Sequence, residues 1–510
     1  MCLPRFAHRA QGVPTLAVAP AHPVAGRSVP RRQAAAALAL SAACLAWAGW
    51  PGAALATPGE DEPPLPGTPP VLQVPELQEA TLPNGLRLVV VPRPGLPLVT
   101  LALHLRNGSN TDPAGLPGLA SMTHDLRTRG AVVQGRRLDA TALAQRAEAL
   151  GASLATSTHW LGSTLSVTVA TPHLAAAADL LAGVIRHPTL PADELALLKQ
   201  QAADGLKFRE SDPMALAGLV AQRSFWGESG HGQAVSARSL AGLQLAQIQA
   251  QHARQARPDR ATLVLAGDIT LAQAQRLAQR VWGDWRAHGP RPADPVAQPP
   301  APTLPATVLV NLPSSGQSGV VVMAPSVPLN SPERRVAQVA ATVLGGGYSA
   351  RLNTEVRIKR GLSYGANAGS SLQPEAGVLS ASTQTNHPSA AEVVQVMKAE
   401  ILRMAQDAPS AQELASRQAV LVNSFASQLD TTDGLASLAL DLVSRQRPLS
   451  EVRDVAPSLQ AVTAEQVRRF AQTHWQADQL RVVVVGDLAA AGAALTPPGA
   501  KVLSRAEALP

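Results

Sequence analysis

The sequence predicts an α+β fold made of two homologous halves, each a mostly antiparallel sheet with helices packed on one face. Three observations carry this. The first is an internal repeat. Ala261-Thr262-Leu263-Val264-Leu265-Ala266-Gly267-Asp268 is an apolar run closed by Gly-Asp, and Leu480-Arg481-Val482-Val483-Val484-Val485-Gly486-Asp487 repeats it at an offset of 219. The same offset relates Gln247-Ile248 to Gln466-Val467 and Glu194-Leu195 to Glu413-Leu414. Several anchors on one offset are the mark of a duplicated unit. The second is the mixture of segments with apolar period near 2 and near 3.6. The third is a Pro-rich stretch, residues 288–305, near the middle of the chain, where proline denies hydrogen bonds to both helix and ladder.

From the N-terminus, residues 1–56 read as an export signal. Arg31-Arg32 precede an apolar run over 34–50, and Ala54-Leu55-Ala56 fits a small-x-small cleavage site. The run is too short and too Ala-rich for a stable membrane span. A periplasmic mature protein is expected, exported by the general secretory or the twin-arginine route. Ser41-Ala42-Ala43-Cys44 is a loose lipidation box, but apolar residues continue past it. Residues 57–72 are a Pro-rich leader, expected to be flexible. A first domain is expected over 73–287, a linker over 288–305 and a second domain over 306–510. In the first domain, 86–91 and 99–105 read as strands and 118–128 as a helix. Residues 138–150 read as a helix that stops at Gly151, 153–170 as a hairpin, and 175–185 and 192–208 as helices.

Composition excludes several functions. The formal charge is +7, but residues 1–56 hold five arginines and no Asp or Glu, so the remainder carries +2. No clustered Lys/Arg face with interleaved aromatics follows, and no nucleic-acid partner is expected. The two cysteines are Cys2 and Cys44, so a chain cleaved after Ala56 has neither disulfides nor thiolate chemistry. The Gly345-Gly346-Gly347 run lacks a following Gly-Lys-Ser/Thr and reads as a tight turn into a helix rather than a phosphate loop.

Two stretches bear on chemistry. The first is Gly118-Leu119-Ala120-Ser121-Met122-Thr123-His124-Asp125, on a predicted helix. The second is Leu344-Gly345-Gly346-Gly347-Tyr348-Ser349-Ala350-Arg351-Leu352, leading into Glu355-Val356-Arg357-Ile358-Lys359-Arg360-Gly361-Leu362-Ser363-Tyr364. Both tyrosines of the chain fall in the second stretch. A guanidinium is a fixed fork of donors for a carbonyl or carboxylate, and a phenol donates to a developing oxyanion. The plainer alternative pairs Arg357 with Glu355 and puts Tyr364 in the core.

Together these stretches resemble the insulinase/pitrilysin (M16) family of metallopeptidases over roughly residues 73–490. The resemblance implies the LuxS/M16-metallohydrolase type of fold, forming one side of a clamshell. The family's helix opens Gly-Leu-Ala-His-x-x-Glu-His. Two His four apart hold zinc and the Glu activates water. Here those positions are Ser121, His124 and Asp125. A neutral Ser hydroxyl is a poor zinc ligand, and catalytic zinc needs three protein ligands. The third ligand, a Glu on a later helix, falls among Ala202-Ala203-Asp204-Gly205, where only Asp204 is acidic. By contrast, Arg357 and Tyr364 keep the seven-residue spacing of the family's second-half pair, which faces the zinc site from the opposite domain.

The resemblance therefore implies a non-catalytic subunit that holds no zinc of its own. Its implied partner is an HxxEH-bearing M16 subunit that holds the zinc, and the implied substrates are unfolded peptides. Two alternatives remain open at this point. One is a peptide-binding or scaffold homologue without proteolysis. The other is an active peptidase with an atypical metal site built from His124, Asp125 and Asp204.

Overall fold

A computed structural model describes residues 72–509 apart from Ala297 and Pro497. The expected export signal and nearly all of the Pro-rich leader lie outside the described residues. In chain order the strands are β1 (Gln78–Thr81), β2 (Arg87–Pro92), β3 (Leu98–Leu105), β4 (Gly130–Val133), β5 (Arg136–Asp139), β6 (Ala155–Thr158) and β7 (Ser163–Ala170). They continue as β8 (Ala261–Gly267), β9 (Thr307–Asn311), β10 (Ser318–Ser326), β11 (Ala366–Leu372), β12 (Gly377–Thr385), β13 (Arg481–Gly486) and β14 (Lys501–Leu503). One six-stranded sheet runs β1-β2-β8-β3-β7-β6, and the other β14-β9-β13-β10-β12-β11. The central pairings share one register. Val264 lies opposite Val89 and Ala102; 219 residues on, Val483 lies opposite Val308 and Val321. The duplication read from the sequence is therefore a duplication of strand order over five strands; the edge strand differs, β1 antiparallel to β2 in one sheet and β14 parallel to β9 in the other.

The central strands are apolar on both faces, and each face has a different cover. On one face of the first sheet, Leu88, Val90, Leu101, Leu103, Leu263 and Leu265 pack under helices Leu174–Arg186 and Leu271–Trp282 of the same half. Leu309, Val320, Val322, Val482 and Val484 pack likewise under Arg334–Gly345, Ala390–Arg403 and Ala464–His474. The opposite faces are covered from the other half. Helix Pro213–Trp226 lays Leu216, Val220 and Phe225 over Val308, Val310, Val321 and Val483. Helix Thr432–Ser444, with Phe425 and Leu429 before it, lays Leu435, Ala436 and Ala439 over Val89, Val91, Ala102 and Val264. These two helices begin 219 residues apart, so the exchange is reciprocal. Strands buried on both sides carry no polar alternation.

The two exchanges are seated differently. Thr100 on β3 donates to the Thr432 hydroxyl at 2.9 Å. Its counterpart 219 residues on is Gly319, where a Cβ would stand 2.5 Å from the Pro213 carbonyl oxygen and 2.8 Å from Met214 Cα. Only glycine admits the helix that close. Gly319→Ala is expected to lower stability by about 1–3 kcal/mol through overpacking, read as a lower urea midpoint with unchanged slope. A variant as stable as the parent would refute this contact.

One expectation is modified. The helix expected over 138–150 begins at Ala140, because Arg136–Asp139 pairs with β4 as a short hairpin. Asp139 then caps the helix, accepting from Ala142 N at 2.8 Å. The Pro-rich connection is fastened to the first half. Arg257 donates to the Pro290 carbonyl at 2.7 Å, and Arg260 donates to the Pro292 carbonyl at 2.9 Å and to Asp294 at 2.8 Å. The halves also meet at His231, whose ring lies 3.6 Å from that of Trp160 and 4.3 Å from that of Trp226, and whose Nε2 is 3.2 Å from Glu375 Oε2. Among the described residues no helix is long and apolar enough to cross a membrane.

Candidate functional site

The helix that carries Ser121, His124 and Asp125 is Leu119–Arg127. Asp112 seats its start, accepting from Gly118 N at 2.8 Å and Ala120 N at 2.7 Å. Burial pushes the Asp112 carboxyl up to about 6. Helical spacing puts Ser121 and Asp125 on one face, where the Ser121 hydroxyl reaches Asp125 Oδ2 at 3.4 Å. Asp125 also receives the Thr156 hydroxyl of β6 at 3.5 Å. Its partial burial raises its pKa.

His124 turns the other way. It is buried, with Nε2 2.9 Å from the Thr164 carbonyl and Nδ1 3.2 Å from a guanidinium nitrogen of Arg127. Arg127 Nε donates in turn to His252 Nδ1 at 3.2 Å. Arg127 is fully buried, and burial draws its own pKa down to about 10. Since Arg127 can only donate, His124 is a neutral ring with its proton on Nε2, directed at Thr164. Burial first, then the Arg127 charge, lowers the His124 pKa to about 3. His124 is thus a core side chain with both nitrogens engaged, which removes it from the alternative metal site of His124, Asp125 and Asp204.

Asp204 sits on helix Ala192–Ser211 and is exposed, accepting from Gln200 at 2.9 Å and Lys207 at 3.0 Å. These four positions therefore do not converge. Among the described residues no cluster of three or more His, Cys, Asp or Glu is placed to hold a metal ion. One carboxylate beside one hydroxyl does not fit zinc, which takes three protein ligands in a catalytic site.

The second stretch is built differently. Helix Arg334–Gly345 ends against β11, where a Cβ on Gly345 would lie 2.1 Å from Ala368 N, so the glycine lets the chain pass. Arg417 donates to the Gly346 carbonyl at 3.2 Å and to the Ser349 hydroxyl at 2.6 Å, holding the loop. Asn353 donates to the Tyr348 carbonyl and accepts from Ala366 N at 3.2 Å. Thr354–Ile358 form a single π-helical turn, closed by Lys359 N to the Thr354 carbonyl at 2.9 Å. Such turns recur at functional sites because they widen the helix locally and re-aim a side chain.

The re-aimed side chain is Arg357. Its guanidinium carbon lies 4.4 Å from the ring centre of Tyr364 and 4.9 Å from that of Tyr348. Tyr364 is 87% exposed and Tyr348 63%. The backbone beneath Tyr364 is pinned to β12 by Ser363 to the Gln384 carbonyl at 2.6 Å, Thr383 to the Gly365 carbonyl at 2.7 Å and Thr385 to the Leu362 carbonyl at 2.6 Å. The plainer alternative fails on both counts. Glu355 is buried and taken by Lys359 and Arg360, with Arg403 at 3.8 Å, and Tyr364 is outside the core. No ion pair is made by Arg357 among the described residues. Tyr348 was missing from the expected site; that it is one of only two tyrosines, both in one motif, was the signal that could have found it.

Comparison with known proteins agrees with this architecture. Residues 242–421 match the domain family described as peptidase M16 inactive domain. A Mycobacterium tuberculosis protein named an uncharacterized zinc protease is 27% identical over 321 residues, 59% of this chain and 69% of the relative. A Streptomyces coelicolor protein of the same description is 22% identical over 405 residues, 78% of this chain and 86% of the relative. Among solved structures, a peptidase M16 inactive domain from Pseudomonas fluorescens superposes with a TM-score of 0.74 at 26% identity, covering 81% of this chain and 98% of that one. A protease from Helicobacter pylori superposes with a TM-score of 0.73 at 17% identity, covering 81% of this chain and all of the other. With two like sheets, an Arg/Tyr motif in the second half and Ser121, His124 and Asp125 at the zinc-motif positions, this chain is similar to M16 peptidases over most of its length, and residues 242–421 match that family's inactive domain.

Proposed function

We propose that this chain is the non-catalytic subunit of a two-chain M16 zinc peptidase. It binds unfolded peptide and supplies Arg357 and Tyr364 to the active site of a partner that carries the HxxEH motif and the zinc. The export signal expected over residues 1–56 would deliver this chain to the periplasm, where such a heterodimer would assemble. The observation that carries this reading is an asymmetry within one chain. The zinc-motif positions are scattered, one in the core, two on a helix face and one in solvent, whereas the Arg/Tyr pair is preorganised and unsatisfied. A guanidinium without an anion at home is available to a substrate carbonyl. A phenol beside it can donate to the oxyanion that develops when that carbonyl is attacked. Pinned backbones on both sides make the geometry ready before the peptide arrives.

The test is co-expression with an HxxEH-bearing homologue encoded nearby, followed by assay on a flexible fluorogenic peptide. The expected result is a co-purifying pair with chelator-sensitive cleavage and no cleavage by this chain alone. Chelator-sensitive hydrolysis by the lone purified chain would sink the proposal.

A further inference from the structure

We propose that Tyr348 is a third member of the Arg357/Tyr364 site, a positioning residue that holds the guanidinium in one plane and leaves its in-plane donors for the carbonyl or carboxylate oxygens of a peptide. The inference rests on the reading of that site given above and names the side chain and the ligand chemistry which that reading lacks.

The geometry is one cation shared by two rings. The Arg357 guanidinium carbon lies over both phenol rings, 4.4 Å from the centre of Tyr364 and 4.9 Å from that of Tyr348. A cation attracted to two ring quadrupoles is held more firmly than by one, since moving off either ring costs attraction. Its N–H groups lie in the guanidinium plane, so rings that engage its face leave the edge for a ligand. That edge matches planar acceptors on sp² carbon. The rings are large and mostly exposed, yet each rests on fixed backbone: Tyr348 on Asn353, with Arg417 holding the loop around it, and Tyr364 on the Ser363, Thr383 and Thr385 clamp. Two exposed aromatics with ordered backbones and a cation without a carboxylate indicate a site built for something else to enter. Removing the Tyr348 ring frees the guanidinium on one side. Removing only its hydroxyl leaves the face in place.

The chain's two tyrosines make this directly measurable. The full mature chain labelled with 3-fluorotyrosine should give two ¹⁹F resonances, assigned with Tyr348→Phe and Tyr364→Phe. Arg357→Ala should shift both lines. The probe is an N-acetylated, Gly/Ser-rich decapeptide, made with a free and with an amidated C-terminus. Either form should move both lines if main-chain carbonyls are the ligand; loss of the response with the amide assigns the terminal carboxylate. Tyr348→Ala should weaken binding by about threefold to tenfold, in line with a single cation–π face, and Tyr348→Phe should restore it. In the two-chain enzyme the same variant should raise KM with kcat within about twofold, as expected for lost substrate positioning.

A Tyr348 resonance unmoved by Arg357→Ala would overturn this arrangement. So would binding by Tyr348→Ala equal to the parent while Arg357→Ala loses it; in that case the Arg357/Tyr364 reading stands and Tyr348 drops out. A peptide that moves neither line, with Arg357→Ala indistinguishable from the parent in cleavage by the pair, overturns both.

Discussion

Replacing Arg357 by alanine is expected to lower kcat/KM of the proposed two-chain peptidase by about 100-fold or more, the usual loss when a preorganised donor at a developing oxyanion is removed. Three features make the experiment clean. Arg357 makes no ion pair among the described residues, so its removal orphans no carboxylate. Its neighbours Tyr348 and Tyr364 are exposed rings, so no core is opened. The backbone around it is held by its own hydrogen bonds, so stability should change by no more than about 0.5 kcal/mol. Arg357→Lys should recover little, because an ammonium has no planar fork and stacks poorly. Tyr364→Phe separates ring from hydroxyl: the ring contact survives and the donor is lost, so kcat should fall by about tenfold or more while peptide affinity holds. Cleavage at parental rates by both Arg357→Ala and Tyr364→Phe would remove the basis for any role in trans.

The second large effect is on stability in mild acid. His104 and His124 are buried and His252 is half-buried, and desolvation above all lowers their pKa values to about 4, 3 and 3. For His124 and His252 the Arg127 charge adds to this, since protonating either ring would set two cations face to face. The folded-state pKa lies below the unfolded value of 6.5, so between these limits the unfolded chain binds more protons. Stability is then intact above about pH 6.5 and is lost as pH falls towards the folded values. Each histidine contributes on the order of 3 kcal/mol at full effect. Asp112 acts oppositely: its raised pKa, about 6, favours the folded state below the unfolded value and loses that advantage as pH rises through 6. Asp125 and Glu400, also raised by burial, act in the same sense as Asp112. Three strongly lowered histidines outweigh them. Urea unfolding at pH 7.5, 6 and 5 should therefore show a stability loss of several kcal/mol on the acid side, less steep in His252→Gln. Equal stability at pH 7.5 and 5 would refute it.

Much of the fold was legible because duplication leaves its mark in register. The 219-residue offset survives in strands that are buried almost throughout, where both faces demand apolar side chains. The Arg357–Tyr364 spacing was legible for a different reason: chemistry fixes it, and packing does not. What stayed hidden depended on long-range partners. Helix Pro213–Trp226 is apolar over most of its circumference, and nothing in its periodicity says that its partner is the sheet of the other half. His124 stands in a motif position and reads as a cleft residue until the Thr164 carbonyl and Arg127 are seen to claim its nitrogens. Tyr348 lies nine residues before Arg357, and only the π-helical turn at Thr354–Ile358 brings the cation under its ring.

The reciprocal crossing of the two helices bears on how a substrate could be admitted. Prising the repeats apart would strip both sheets at once and lay bare two apolar surfaces that include Val89, Val264, Val321 and Val483. Such a chain behaves as one stiff jaw. In the proposed heterodimer, the gape a peptide needs would come from the hinge against the partner rather than from within this chain.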